Sequence, residues 1–224
     1  MLLYLPISSK TGDTVSYFDA LFTSTSAVCV TGLVVKDTWN YWSLFGKTVI
    51  LLLIQIGGLG IVTVTLLIFM LSGRKISLSQ RLIMKDAISA DRVGGILKLT
   101  SFIIRFTLIF EAAGSLIMYP VFSKEYGSVK GLGYAVFHSV SAFCNAGFDL
   151  MGSYGDFSSL CPYKDNIIVN LTIMTLIICG GLGFLTWKEI SPSAWYSLRS
   201  HRPPYCGSVH DRGRDKLVSA WKRC

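Results

Sequence analysis

Two short phrases carry the residues best suited to chemistry. Phe22-Thr-Ser-Thr-Ser-Ala-Val-Cys-Val-Thr-Gly32 returns 115 residues later as Phe137-His-Ser-Val-Ser-Ala-Phe-Cys-Asn-Ala-Gly147, with six of eleven positions identical. Each phrase ends in small residues and a glycine, Val30-Thr31-Gly32 and Asn145-Ala146-Gly147. Glycine accepts φ/ψ values closed to other residues, so such a turn can aim successive peptide oxygens at one point. Rings of backbone carbonyls held this way can replace the water shell of a cation. Each phrase is followed by Gly-Gly-Leu-Gly in an apolar run, at Gly57, Gly58 and Gly60 and again at Gly180, Gly181 and Gly183, so the repeating unit has two parts.

The surrounding composition decides where such a turn works. A 224-residue chain that is 51% hydrophobic and 15% charged lies outside the range of soluble domains and predicts an all-α membrane protein. Three runs with few or no charges reach the roughly 20 residues a helical crossing needs: Thr48 to Ser72, Leu99 to Phe122 and Asn166 to Trp187. The six cysteines show no CxxC pair and no zinc spacing, so neither a disulfide nor a metal framework is expected. Cys29 and Cys144 instead occupy one position of the repeat.

The net charge of +8 is unevenly spread. Residues 73–98 carry six basic and two acidic side chains, and residues 188–224 carry eight and three. This is the asymmetry of cytoplasmic loops, and it argues against nucleic acid as a partner.

In chain order, Tyr17 to Ala27 reads as a short helix with Ser16 or Asp13 as cap, and Lys36 to Tyr41 as loop. The basic loop 73–98 holds an amphipathic piece around Ser79 to Ile88. The span Leu99 to Phe122 is expected to be ended by Pro120 and the polar segment Ser123 to Lys130. Gly131 to Phe148 is uncharged apart from His138 and would pass for a further crossing, but that would deliver the basic tail to the outside. It is therefore expected to enter and leave from the outer face as a re-entrant helix and loop, with the acidic segment Asp149 to Asp165 outside. Two spans separate the phrases, so both open on the same face and the repeat is parallel. Short helices before each turn, Tyr17 to Ala27 and Leu132 to Ala142, would aim their carbonyl ends at the permeation axis.

Ser26-Ala-Val-Cys-Val-Thr-Gly-Leu33 and Ser141-Ala-Phe-Cys-Asn-Ala-Gly-Phe148, each with Gly-Gly-Leu-Gly after it, resemble the first two filter repeats of the bacterial TrkH/KtrB potassium-uptake subunits. The resemblance runs from about Met1 to Ile190. It implies four repeats of outer helix, pore helix with filter loop, and inner helix around one potassium pathway, of which about one and a half to two are present here. It divides the chain into a first pore repeat over 1–72 with most of its outer helix missing, the cytoplasmic loop 73–98, a second pore repeat over 99–190, and a basic tail over 191–224 without assignable structure. By the same resemblance Val30, Thr31, Gly32, Asn145, Ala146 and Gly147 offer carbonyls to potassium, with Ser26, Cys29, Ser141 and Cys144 as filter support. Location in a bacterial plasma membrane, a cytosolic nucleotide-binding ring as partner, and a second copy or the missing half of the subunit are also implied. No cofactor is expected beyond the transported ion, and sodium dependence is left open. The departure after Ile190, where a third repeat would follow, is what a truncated or frame-shifted product would look like. A non-conducting fragment that assembles with full-length subunits is the alternative reading.

Other candidates have plainer readings. Glu111 lies deep in the second span and is expected to bond a neighbouring helix, whereas Arg105 is near enough to the inner end to snorkel. The two glycine clusters permit close helix approach or widen the inner mouth, and Gln55 beside the first could face either way. His138 is expected to pack or hydrogen-bond. No GK[ST] follows either glycine cluster, and no set of nucleophile, base and carboxylate is visible, so an enzyme is not expected.

Overall fold

A computed structural model describes residues 2–60 and 96–183, together with positions 63, 64, 68, 186 and 187. The chain divides into a unit over Met1–Gly181 and a second over Leu182–Cys224. The amphipathic piece at Ser79 to Ile88, the basic loop up to residue 95, and the tail from 191 lie outside the described residues.

Among the described residues the first unit is helical, without strands. Two single turns of 3-10 helix, Leu2–Tyr4 and Pro6–Ser8, lead to α1 (Tyr17–Val28) and α2 (Leu44–Leu59). Then come α3 (Ile96–Tyr126), α4 (Ser128–Phe143), a short 3-10 turn at Cys161–Tyr163, and α5 (Ile167–Gly181). α1 packs on α2, α4 lies against α3 and α5, and α2 touches α4, joining the two copies of the repeat.

α2 begins four residues before the expected Thr48 because Ser43 caps it: its Oγ accepts the Gly46 N–H at 3.2 Å and donates to the Ile7 carbonyl at 2.6 Å. The same serine thus starts the helix and fastens the N-terminal segment to it. Ser16 stands at the N-cap of α1 without a side-chain cap bond.

α3 carries the run Thr100–Tyr126, 27 residues with mean hydropathy 1.6, long and apolar enough to cross a membrane. The expectation that Pro120 ends this span fails, since the helix continues through it to Tyr126. An internal proline removes a hydrogen bond and costs about 3 kcal/mol. Tertiary packing offsets this: Phe122, two residues on, is fully buried against Tyr134, His138 and Tyr163. α2 and α5 are shorter apolar helices of 16 and 15 residues among the described residues; most of the rest of the run expected at Thr48–Ser72 lies outside them, as do residues 184 and 185 of the run expected at Asn166–Trp187.

Candidate functional site

The two repeated phrases fold alike, and the likeness begins with how a helix ends. α1 stops at Val28 and α4 at Phe143, with Cys29 and Cys144 as equivalent C-caps. Past each cap one residue turns left-handed, Val30 at φ 57° and Asn145 at φ 58°. In the first copy Thr31 N–H donates to the Ser26 carbonyl at 3.0 Å and Val30 N–H to Ala27 at 3.3 Å. In the second, Ala146 N–H donates to Ser141 at 2.7 Å and Asn145 N–H to Ala142 at 3.0 Å. These paired bonds form a Schellman motif, which normally places glycine at the left-handed position. Asparagine tolerates that conformation, but a β-branched valine there is an outlier that the surroundings must impose.

Two residues on, Gly32 and Gly147 are left-handed as well, at φ 73° and 71°. Each loop therefore reverses twice within three residues and leads the chain away from its helix. No donor among the described residues reaches the carbonyls of Val30, Thr31, Gly32, Asn145, Ala146 or Gly147. The two loops also meet. A Cβ on Gly32 would stand 2.6 Å from the Ala146 carbonyl oxygen and 3.3 Å from the Gly147 Cα, and one on Gly147 would stand 3.5 Å from the Gly32 Cα.

The serines brace the loops by different routes. Ser26 Oγ shares a hydrogen bond with Thr31 Oγ1 at 2.8 Å, and Ser141 Oγ donates to the Phe148 carbonyl at 2.6 Å. His138, buried, ties α4 to the chain leaving the second loop: its Nε2 accepts the Leu150 N–H at 3.3 Å and its Nδ1 donates to the Tyr134 carbonyl at 2.8 Å, as expected of a hydrogen-bonding histidine. That pattern makes it a neutral imidazole with the proton on Nδ1.

The glycine clusters bear on the same loops. A side chain on Gly57 would strike the Val28 carbonyl, and one on Gly180 would strike the equivalent Phe143 carbonyl. Both apolar helices thus press their backbones against the final turn of a helix that precedes a loop. Gly58 lies against Cys144, so the first cluster also touches the second copy, and Gly181 lies near the Asn145 amide. Gly60 and Gly183 each take a left-handed conformation, at φ 78° and 81°. Behind the loops Glu111 is buried and accepts from Gln55 Nε2 at 2.9 Å, while its carbonyl accepts from Ser115 and Ser139 at 2.7 Å each. The glutamate does bond a neighbouring helix, and Gln55 faces inward to meet it. Arg105 is exposed on α3.

Asp37 is the residue that sequence reasoning missed. Its Oδ1 accepts the N–H groups of Trp39 and Asn40 at 2.9 and 2.7 Å, and its Oδ2 accepts that of Phe157, 120 residues away, at 2.9 Å. Asn40 adds bonds to the Gly152 carbonyl at 3.0 Å and to Asp156 at 2.5 Å. The segment after the first loop is thereby locked to the segment after the second. The only signal was an aspartate in a loop that could bond its own backbone.

Among the described residues the chain is helical without strands, one helix is long and apolar enough to cross a bilayer, and two matched glycine loops touch, features consistent with an all-α membrane protein. The chain belongs to the TrkH family of cation transport proteins, whose family model matches residues 4–196. It is 41% identical over 189 residues to the potassium/sodium uptake protein NtpJ of Enterococcus hirae, a match covering 84% of this chain and 41% of that protein. It is 42% identical over 190 residues to the Ktr system potassium uptake protein B of Bacillus subtilis, covering 85% and 41%, and 40% identical over 190 residues to its namesake in Vibrio alginolyticus, covering 85% and 40%. The chain spans about two fifths of the length of these curated relatives.

Proposed function

We propose that this chain supplies two of the loops of a potassium-conducting selectivity filter in a Trk/Ktr-type uptake system of the bacterial plasma membrane. α1 and α4 act as re-entrant pore helices, and α2 and α5 as the inner helices that follow them in parallel repeats. A cation sheds water at the carbonyls of Val30, Thr31, Gly32, Asn145, Ala146 and Gly147, and moves down its electrochemical gradient. The negative ends of the α1 and α4 dipoles favour it there. The basic loop 73–98 and the tail face the cytoplasm by the charge rule.

The observation that carries this reading is the meeting of Gly32 with Gly147 in two loops whose six carbonyls accept no hydrogen bond among the described residues. Unpaired peptide oxygens at membrane depth are costly, so an ion or water that bonds them is the natural occupant. Relatives named as potassium or potassium/sodium uptake proteins support potassium as the ion. Four loops are needed to surround an ion and two are present, so conduction requires a second copy of this chain or further repeats, and a cytosolic nucleotide-binding ring is a candidate regulator. Expression in a bacterium lacking its own potassium uptake, plated on low potassium, tests the proposal. Growth that Gly32→Ser abolishes supports a pore built from copies of this chain.

The alternative reading is a non-conducting module that pairs with full-length subunits. Membrane insertion without rescue, together with co-purification with a full-length relative, would support it instead.

A further inference from the structure

We infer that the groove between the first turns of α2 and α4 binds one anionic phospholipid, its phosphate held by Lys10, Lys47 and Lys130 and an acyl chain lying along Leu51, Leu132 and Val136. The groove has a volume of about 710 Å³, and its walls are apolar apart from this cationic end. Leu44 and Val129 at its rim are 83% and 87% exposed, so it opens sideways to whatever surrounds the helices.

Lys47 decides the chemistry. It sits one turn inside α2 and is 8% exposed, yet no hydrogen bond or ion pair among the described residues reaches its ammonium group. Its Nζ lies 3.6 Å from the centroid of the Trp39 ring, and Lys10 Nζ lies 4.5 Å from the same centroid. Two cations on one indole repel each other, and the ring's quadrupole compensates only part of the cost of burying one of them. Asp37 is the carboxylate whose field reaches both, but it forms no ion pair with either, and its oxygens already serve three backbone N–H groups. Lys130, exposed at the start of α4, adds a third charge at the same mouth.

A soluble anion would satisfy the lysines and leave the apolar floor uncovered, whereas a phospholipid satisfies both. Trp39 packs on Tyr134 at 5.2 Å, and Tyr126 stacks on Tyr134 at 4.1 Å, so aromatic rings back the cationic end of the groove. Only the placement of the chain in a membrane is assumed, so the inference stands whether or not the loops conduct.

The test uses the whole chain purified in detergent and observed by native mass spectrometry with palmitoyl-oleoyl phosphatidylglycerol or the corresponding phosphatidylcholine. Phosphatidylglycerol should be retained about tenfold better, as expected for basic side chains facing an anionic headgroup. The double variant Lys10→Ala with Lys130→Ala alters two exposed side chains and should remove that preference without loss of helix content. Val136→Trp, which fills the floor, should reduce retention of phosphatidylglycerol in a chain of unchanged helix content. Equal retention of the two lipids, a preference that survives the double variant, or displacement of phosphatidylglycerol by millimolar inorganic phosphate would overturn the inference. So would efficient crosslinking between two copies through Leu132→Cys, which would make a second chain the occupant.

Discussion

Gly32 and Gly147, 115 residues apart in sequence, face each other so closely that a side chain on the first would crowd the Gly147 Cα and collide with the carbonyl oxygen of Ala146 beside it. Each is also left-handed, so both positions disfavour larger residues by conformation, and Gly32 excludes them by space as well. Gly32→Ala would bring a Cβ to 2.6 Å from the Ala146 oxygen, and we expect it to cost about 1–3 kcal/mol from strain alone. Rubidium uptake by cells carrying the variant should fall while membrane insertion, read by protease protection, stays unchanged. Uptake equal to that of the parent chain would separate these glycines from transport.

Val30 offers a test of opposite sign. A β-branched residue at φ 57° carries strain of about 1–2 kcal/mol that glycine would relieve, less the roughly 0.5–1 kcal/mol that glycine loses through a freer unfolded chain. Val30→Gly should therefore raise the midpoint of thermal unfolding slightly. Val30→Gly that lowers the midpoint by several degrees would mean that the valine side chain, which reaches toward Gly57, matters more than its backbone.

Asp37 joins the segments that follow the two loops. Asp37→Ala removes the acceptor of three part-buried N–H groups and should destabilise the chain by about 1–2 kcal/mol, since water can replace part of what each bond contributes. Limited proteolysis should then cut between Met151 and Leu160 at a rate well above that of the parent. Asp37→Asn keeps one acceptor oxygen and should fall between the two.

Asp149, just beyond the second loop, gives a pH dependence. Burial raises its carboxyl pKa above the ordinary value, partly offset by the Met151 N–H that its Oδ1 accepts at 2.9 Å, with the negative charge of Asp37 adding to the rise. A carboxylate raised by folding binds its proton more readily in the folded chain than in the unfolded one. Its destabilising contribution is therefore present above the raised pKa and disappears as pH falls through it toward the ordinary carboxylate value. Asp149→Asn, which keeps the acceptor, should unfold at a higher temperature than the parent at neutral pH and at the same temperature in acid. A gap that persists unchanged into acid would assign the effect to packing.

The sequence by itself determined the repeat, the helical class and the form of both loops. The hydrogen bonds of a Schellman ending span about six residues, so two copies of one phrase can end alike from local bonds, as they do at Val30 and Asn145, although the left-handed valine is held there by its surroundings. The membrane class followed from composition, because hydropathy sums over residues wherever they fold. Tertiary structure alone decided that Gly32 meets Gly147, that Asp37 reaches Phe157, that Gln55 turns to Glu111, and that α3 runs on through Pro120. Each of these depends on partners distant in the chain, or on burial such as that of Phe122, which outweighs a local preference. No pattern of neighbouring residues encodes which distant partners will close on one another, because that choice is made by the packing of whole helices.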